Sequence, residues 1–308
     1  MNLTPSISVV TSIYYSKDYI TPFYNRVIQE INKLGCKYEI IFVQDGPTDA
    51  GHEMVKDLIK SDKNVSLIEL TKNFGHQAAM LAGIQSAKLD TIFTIDVDLE
   101  EPPECISRFY KHLLANWDEV DTVVGILEKR ESSSIARLSG KWFYKLFNKL
   151  SDTEIQPNQL WARIMKKEFV NAFLEYNEYL RFTAGLFSIA GFVQVYLPVQ
   201  KSYKGTSSYS MLKRITSGVD AVTSFSVKPL KFLFFIGLIS FIVSFFVGAI
   251  LVFSKIFIDY YSGWLSILTL LIFFGSLNMM ATGLVGIYVS SVYMEVKNRP
   301  RFLIRKIW

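Results

Sequence analysis

Two aspartates in this chain, Asp96 and Asp98, stand two positions apart where an apolar run ends. In an extended strand, residues i and i+2 project to the same face, so the two carboxylates would lie close together. Neighbouring carboxylates repel each other unless a cation lies between them. A hard divalent ion, Mg²⁺ or Mn²⁺, prefers such oxygen ligands and would stabilise a diphosphate as a leaving group. The same spacing also suits a solvated acidic turn, since Glu100, Glu101 and Glu104 follow.

Further polar residues follow two other apolar runs. Asp45 comes shortly after residues 38–43, and Lys72 and Asn73 come shortly after residues 65–70. In open α/β sheets, ligands bind beyond the carboxyl ends of the strands. If these runs are parallel strands, their polar residues share one sheet edge with Asp96 and Asp98. That coincidence favours a metal and ligand site over an acidic turn.

The alternation of apolar runs and amphipathic segments predicts an α/β fold. Strands are expected at residues 7–13, 38–43, 65–70, 91–95 and 122–127, and helices at residues 18–34, 48–60 and 76–87, with a further helix opened by Pro102 and Pro103. This order is typical of a mostly parallel sheet with helices on both faces.

Missing motifs disfavour several common functions. No G-x-G-x-x-G follows the first expected strand, and neither G-x-x-x-x-G-K-[ST] nor G-x-S-x-G occurs. A dinucleotide-dependent oxidoreductase, a P-loop enzyme and a serine hydrolase of the nucleophile-elbow type are therefore disfavoured. The histidines His52, His76 and His112 lack the spacing of metal ligands, and His76 is expected to have a structural or supporting role.

The positive charge of the chain does not indicate nucleic-acid binding. From residue 228 onward there are eight Lys/Arg and two acidic residues, a net charge of +6, whereas the rest of the chain carries −1. Basic residues that flank apolar segments suit a membrane anchor near anionic lipid. We therefore expect a bilayer and not a nucleic acid as a partner.

Two apolar segments near the C-terminus predict membrane spans. Residues 232–253 contain no charged residue, and a second uncharged run has its most apolar part at residues 264–288. About 20 apolar residues cross a bilayer as a helix, and a pair of buried core helices is the disfavoured alternative. Seven of the eight basic residues flank the hairpin, and the link between the spans holds one Lys and one Asp, so the positive-inside rule places both chain ends in the cytoplasm. The expected location is the inner membrane, multi-pass, with a cytosolic catalytic domain.

The expected organisation has four parts. Residues 1–200 form a cytosolic domain, residues 201–228 a juxtamembrane loop and amphipathic helix, residues 229–294 two transmembrane helices, and residues 295–308 a basic cytoplasmic tail.

Several motifs together resemble glycosyltransferase family 2, with its GT-A fold. The resemblance is strongest to the membrane-anchored polyprenyl-phosphate glycosyltransferases, the group that includes dolichol-phosphate mannose synthase. The matching segments are residues 7–13 (ISVVTSI), 38–49 (YEIIFVQDGPTD), 73–79 (NFGHQAA) and 96–104 (DVDLEEPPE), followed by the two-span hairpin.

The resemblance implies roles for individual residues. The nucleotide sugar would be bound by Gln44, Asp45, Lys72, Asn73 and Asp96, with Asp98 as the principal ligand of Mg²⁺ or Mn²⁺ and with Asp96 and Asp98 as the catalytic pair. The acceptor phosphate would be held by Arg130, Arg137 and Arg163, and the diphosphate would be covered by a loop with Lys201, Lys204, Ser207 and Tyr209.

The acceptor is predicted from a departure from the family pattern. Trp161 occupies a position where many relatives have an aspartate, so no carboxylate base is visible there. A sugar hydroxyl needs a base when it attacks, whereas a lipid phosphate is already an anion. Together with this departure, the resemblance implies an inverting transfer from a nucleotide sugar, UDP favoured over GDP, to polyprenyl (undecaprenyl) phosphate for cell-envelope polysaccharide. Transfer to a hydroxyl of a lipid-linked glycan and an inactive membrane partner stay open as alternatives, as does homo-oligomerisation.

Overall fold

The computed structural model describes residues 5–47, 49–127, 148, 155–176, 183–201, 222–223, 226–254 and 263–308. The strands are β1 (Ile7–Ile13), β2 (Tyr38–Gln44), β3 (Val65–Leu70), β4 (Thr91–Thr94), β5 (Thr122–Leu127), β6 (Gln159–Lys166), β7 (Gln194–Val199) and β8 (Ile304–Ile307). The helices are α1 (Lys17–Leu34), α2 (Gly51–Ser61), α3 (His76–Ser86), α4 (Cys105–Ala115), α5 (Lys167–Glu175), α6 (Thr183–Ile189), α7 (Lys228–Ser254) and α8 (Trp264–Val296).

The strands form one mixed sheet in the order β7-β5-β6-β4-β1-β2-β3-β8. Strands β1 to β4 pair in parallel, whereas β6 runs antiparallel to both β4 and β5, and β8 runs antiparallel to β3. Since β4 and β5 are both antiparallel to β6, β5 points the same way as β1 to β4, and β7 does so too because it is parallel to β5. The predicted mostly parallel sheet is confirmed, with β6 and β8 as its reversed strands.

Helices cover both faces of the sheet, as predicted. On one face, α1 packs against α2 and α4, and alternate strand residues complete the core. Phe42 meets Phe23 of α1 edge-on at 6.0 Å, and Phe93 meets Phe109 of α4 at 6.1 Å. Burying a phenylalanine side chain stabilises a fold by about 1.5–3 kcal/mol, so these pairs hold the helices firmly to the sheet.

Helix α3 lies on the opposite face, and a glycine permits its close approach. A Cβ atom at Gly83 would lie 2.3 Å from Cγ1 of Val10 and 3.0 Å from Cγ2 of Val43. Any larger residue would push α3 away from β1 and β2. The contact matters for the site because α3 begins at His76, at the carboxyl ends of those strands.

The chain divides into two compact units. One contains the sheet domain together with residues 299–308, and the other contains residues 211–298 with residues 146–152. In the second unit, the hydroxyl of Tyr288 on α8 donates a hydrogen bond of 2.6 Å to the carbonyl oxygen of Ser226, just before α7. The two apolar segments of the sequence form the helices α7 and α8. Within the described residues, one stretch, Leu270–Val296, is long and apolar enough to cross a membrane.

The last residues of the chain form a strand that the sequence analysis did not anticipate. In β8, Ile307 pairs with Ile68 and Lys306 with Glu69. The backbone N–H of Trp308 donates to the carbonyl oxygen of Leu67 at 2.9 Å. The segment expected to be a basic tail therefore closes the β3 edge of the sheet.

Candidate active site

The polar residues predicted from the sequence do gather at one sheet edge. The carboxyl ends of β1, β2, β3 and β4 lie together there, and we call this the carboxyl edge. Because β6 is antiparallel, it begins at this same edge and brings Trp161 to it, and β7 ends there shortly before Lys201. The topology thus adds two residues from the second half of the chain to the aspartates of the first half.

Asp45 shapes the loop that follows β3. Its side chain is buried, and its two carboxylate oxygens accept hydrogen bonds from the backbone N–H groups of Phe74, at 2.7 Å, and Gly75, at 2.9 Å. The neighbouring Gly46 has φ +81°, and a Cβ there would lie 2.4 Å from the backbone nitrogen of Asn73. The β2 and β3 loops are therefore locked together, while direct contact between Asp45 and a nucleotide stays a prediction.

Residues 72–75 present polar groups next to the contacts that join the β2 and β3 loops. Lys72 and Asn73 are exposed, and the Asn73 side-chain oxygen accepts a hydrogen bond of 3.0 Å from the Gly75 N–H. Gln44, in contrast, is buried at the end of β2. The exposed pair is thus available to a ligand, whereas the Gln44 side chain is not, and its contact with a nucleotide stays a prediction.

Asp96 is engaged by a histidine. Its Oδ1 atom lies 3.1 Å from Nε2 of His76, and Nδ1 of His76 lies 2.7 Å from Oγ of Ser12. Burial lowers the pKa of His76, but the Asp96 carboxylate, with smaller effects from Asp45 and Asp98, outweighs burial and raises that pKa above its ordinary value. The imidazole therefore lies in a strongly negative environment.

Asp98 sits in a tight turn. Its Oδ1 atom accepts a hydrogen bond of 3.0 Å from the Glu100 N–H, and Leu99 between them has φ +62°. A non-glycine residue in this left-handed region carries strain that the surrounding structure must hold in place. The next carboxylate, Glu100, forms an ion pair of 2.8 Å with Nζ of Lys201. The diphosphate-loop lysine predicted from the sequence thus lies beside the D-x-D turn.

Glu101 joins the D-x-D turn to β6. It is 1% exposed, and its carboxylate oxygens accept hydrogen bonds from the N–H groups of Ala162, at 2.7 Å, and Trp161, at 3.3 Å. Burial and the charge of Asp96 raise the pKa of Glu101 to about 8. From the sequence alone, Glu101 is only one of several acidic residues after the D-x-D pair, because β6, which supplies its partners, has no recognisable pattern there.

Trp161 packs against the histidine instead of adding a carboxylate. Its ring meets the His76 ring edge-on, with centroids 5.0 Å apart and an interplanar angle of 83°. The indole therefore fills space beside the contact between His76 and Asp96. An indole side chain cannot act as a general base.

Arg163, predicted to hold the acceptor phosphate, is buried. Its guanidinium lies 3.9 Å from the Phe187 ring centroid and donates a hydrogen bond of 2.9 Å to Gln159 Oε1. Burial lowers its pKa to about 10. The neighbours Ala162 and Ile164 point into the core on the α1 side, so strand alternation turns Arg163 toward α6 on the other face. We therefore leave Arg163 out of the acceptor site.

The remaining predicted residues lie outside the described part of the chain: Arg130, Arg137, Lys204, Ser207 and Tyr209. Most of the expected juxtamembrane loop and amphipathic helix, residues 201–228, lies there as well. Their roles stay predictions.

The described residues are compatible with a shared metal site. They contain no group of three or more His, Cys, Asp or Glu side chains that could hold an ion by themselves. Magnesium, however, is commonly held by one or two carboxylates together with substrate phosphates. Asp96 and Asp98 supply such carboxylates, and the Asp96 Oδ1 atom is buried without a well-formed hydrogen bond in the described structure.

A mixed sheet with helices on both faces and a D-x-D turn at its carboxyl edge is a GT-A-type glycosyltransferase fold. The chain belongs to glycosyl transferase family 2, whose family model matches residues 8–172. It is thus a glycosyltransferase.

Relatives match over nearly the whole chain. A protein described as "Putative glycosyltransferases" from Mycobacterium tuberculosis is 37% identical over 98% of this chain and 88% of its own length. The SfII prophage-derived bactoprenol glucosyl transferase of Shigella flexneri is 32% identical over 97% of both chains. Among solved structures, the mannosyltransferase PcManGT from Pyrobaculum calidifontis, in complex with GDP-Man and Mn²⁺, has a TM-score of 0.46 and 14% identity over 96% of this chain and 87% of that chain.

Proposed function

We propose that this protein transfers a sugar from a nucleoside-diphosphate donor to a polyprenyl phosphate, specifically undecaprenyl phosphate, at the cytoplasmic face of the membrane. The transfer would invert the configuration at the anomeric carbon. The observation that carries the proposal is the packing of Trp161 against His76 at the carboxyl edge, where a hydroxyl acceptor would call for a carboxylate base. The relatives named bactoprenol glucosyl transferases support the same acceptor class.

The reaction would be a single displacement. An oxygen of the lipid phosphate attacks the anomeric carbon, and the bond between that carbon and the donor diphosphate oxygen breaks. The electron pair leaves with the nucleoside diphosphate, and the new bond joins the sugar to the lipid phosphate. Attack from the side opposite the leaving group inverts the configuration.

The residues of the chain have separate tasks in this scheme. Lys72 and Asn73 on the loop held by Asp45 would bind the nucleotide, and Asp96 would contact the ribose or sugar side of the donor. Lys201, Lys204, Ser207 and Tyr209 would cover the diphosphate. Asp98 would hold Mg²⁺ or Mn²⁺, and the ion, when bound, neutralises charge on the leaving diphosphate.

The acceptor would be bound by Arg130 and Arg137, because guanidinium groups make paired hydrogen bonds to phosphate oxygens. The helices α7 and α8 would form a two-span hairpin that keeps this site at the bilayer surface, where the lipid phosphate is presented. Basic residues on the flanks of the hairpin favour the cytoplasmic side for both chain ends.

The test is transfer by the purified full-length protein with Mg²⁺ or Mn²⁺, undecaprenyl phosphate and a panel of labelled nucleotide sugars, UDP-glucose first. We expect an acid-labile glycolipid. Transfer to a lipid-linked glycan but never to undecaprenyl phosphate would establish the hydroxyl-acceptor alternative. Absence of both transfer and metal-dependent donor hydrolysis across the panel would indicate an inactive partner protein.

A further inference from the structure

The histidine at the start of α3 bridges the ends of two strands. Ser12 near the end of β1 contacts Nδ1 of His76 at 2.7 Å, and Nε2 of the same ring contacts Asp96 just beyond β4 at 3.1 Å. Since β1 and β4 are adjacent and parallel, the imidazole spans neighbouring strand ends. Trp161 closes one side of the ring from β6.

The contacts define which nitrogen carries the proton. Nε2 faces a carboxylate, which only accepts hydrogen bonds, so Nε2 must donate. In the neutral ring Nδ1 then accepts, and the Ser12 hydroxyl donates to it. In the charged ring Nδ1 donates and the Ser12 oxygen accepts. Ser12 thus supports an Nε2–H donor toward Asp96 in either charge state.

The Asp96 carboxylate needs such a donor. Its Oδ1 atom is buried and has no hydrogen bond of good geometry among the described residues, so the 3.1 Å approach of Nε2 is its close polar contact there. A buried carboxylate oxygen without a donor is costly, and the carboxyl edge already carries Asp45, Asp98 and Glu101. Holding Oδ1 against His76 also limits rotation of the carboxylate, which leaves its other oxygen in a defined direction.

We propose that His76 is a positioning residue for donor binding: supported by Ser12 and packed by Trp161, it orients the Asp96 carboxylate toward the ribose or sugar side of the nucleotide sugar. The inference rests on the proposed function, since it takes Asp96 as a donor contact. His76 itself would not contact the substrate.

Two amide substitutions separate this role from a merely structural one. The Nε2 atom of glutamine can occupy the place of histidine Nε2 and donate to Asp96. The shorter asparagine places its amide nearer the Nδ1 position and reaches only toward Ser12. His76→Gln should therefore keep the donor KM within about threefold of wild type, whereas His76→Asn and His76→Ala should raise it roughly tenfold or more, the effect of one lost charge-assisted hydrogen bond. The KM for undecaprenyl phosphate should stay unchanged in all three.

Ser12 provides a second test. Ser12→Ala should raise the donor KM by less than His76→Ala, and the double variant should be no worse than His76→Ala alone, because both changes act through one chain of contacts. His112→Gln on α4 is the matched control and should behave as wild type.

The measurements are steady-state kinetics with UDP-glucose and undecaprenyl phosphate, together with calorimetric binding of UDP and Mg²⁺, which does not require transfer. Equal effects of His76→Gln and His76→Asn, or an unchanged donor KM in His76→Ala, would overturn the positioning role while leaving the transferase proposal intact. A wild-type protein that neither binds UDP nor transfers any sugar of the panel would instead overturn the proposed function, and the positioning role with it.

Discussion

At the scale of single residues, Asp98 tests the metal proposal. Asp98→Asn keeps nearly the same shape in a turn where Oδ1 accepts the Glu100 N–H, so the fold should survive. The charge that would hold the divalent ion is lost, and we expect transfer to fall at least about 100-fold, or roughly 2.7 kcal/mol of transition-state stabilisation. Turnover is measured across a Mg²⁺ titration, with the melting temperature as the folding control. Near-normal turnover at saturating Mg²⁺ would assign the ion elsewhere.

Glu101 makes a prediction about pH. Its pKa is about 8 in the folded chain and ordinary in the unfolded chain, so over the interval between those values the folded state retains a proton that the unfolded state has released. Stability must therefore decrease as pH rises from about 4.3 toward 8. Glu101→Gln removes this titration, and its melting temperature should vary less between pH 5 and pH 8 than that of wild type.

Glu104→Gln is the control for that experiment. Glu104 forms an ion pair of 2.6 Å with Arg26, whose hydrogen bond holds the pKa of Glu104 below its ordinary value. The stability that this pair contributes is lost only as pH falls below the ordinary value, so Glu104→Gln should keep the wild-type slope between pH 5 and pH 8. A Glu101→Gln variant with that same slope would contradict the assignment.

At the scale of the elements, the lock between the β2 and β3 loops depends on Gly46. Gly46→Ala places a Cβ 2.4 Å from the Asn73 nitrogen in a left-handed backbone conformation. The loops must separate, and we expect a loss of about 1–3 kcal/mol of stability with weaker nucleotide binding. Gly35→Ala has similar backbone strain, at φ +61°, but no atom within 4 Å. It should lose about 1 kcal/mol and bind UDP normally, as measured by thermal unfolding and calorimetry.

The elements of the first half of the chain were predictable because each follows a local pattern. Strands β1, β3 and β5 begin and end where the apolar runs do. Helix α2, expected from residue 48, begins only at Gly51, because Asp49 accepts hydrogen bonds from the Lys17 and Gly51 N–H groups and holds the preceding loop. Such long-range contacts leave no local signal.

The second half of the sheet was harder to predict. Strand β6 buries Arg163 and Lys166, and buried charges break the alternation that marks a strand. Without β6, neither the partners of Glu101 nor the burial of Arg163 could be foreseen. The strand-end aspartates, in contrast, were correctly grouped because parallel topology alone brings them together.

At the scale of the whole molecule, the two-span proposal predicts an external link between α7 and α8. Position 259 lies in that link, outside the described residues. Asp259→Cys, in a background with Cys36 and Cys105 replaced by alanine, should react with a membrane-impermeant thiol reagent in intact cells. A cysteine introduced at Ser6 should react only after lysis. The reverse pattern would invert the topology.

Because β8 covers the β3 edge, we expect removal of this short strand to affect the stability of the whole sheet domain. Besides the β8 pairing, the Thr71 N–H donates to the Leu303 carbonyl oxygen at 2.9 Å, and Trp308 Nε1 donates to Glu69 at 2.9 Å. Deleting residues 301–308 exposes the β3 edge and releases Thr71 beside the Lys72-Asn73 loop, so we expect a lower melting temperature and aggregation. Lys306→Gln keeps the backbone pairing and should stay close to wild type in both measurements. Unchanged melting after the deletion would show that β8 is dispensable.

Because β8 follows both apolar helices in the chain, it is synthesised after them. Until β8 is available, β3 is an unpaired edge, the kind of surface on which nascent chains associate wrongly. The β3 edge can therefore be closed only after α7 and α8 have been made. Any chain interrupted before β8 would present this edge to chaperones and proteases.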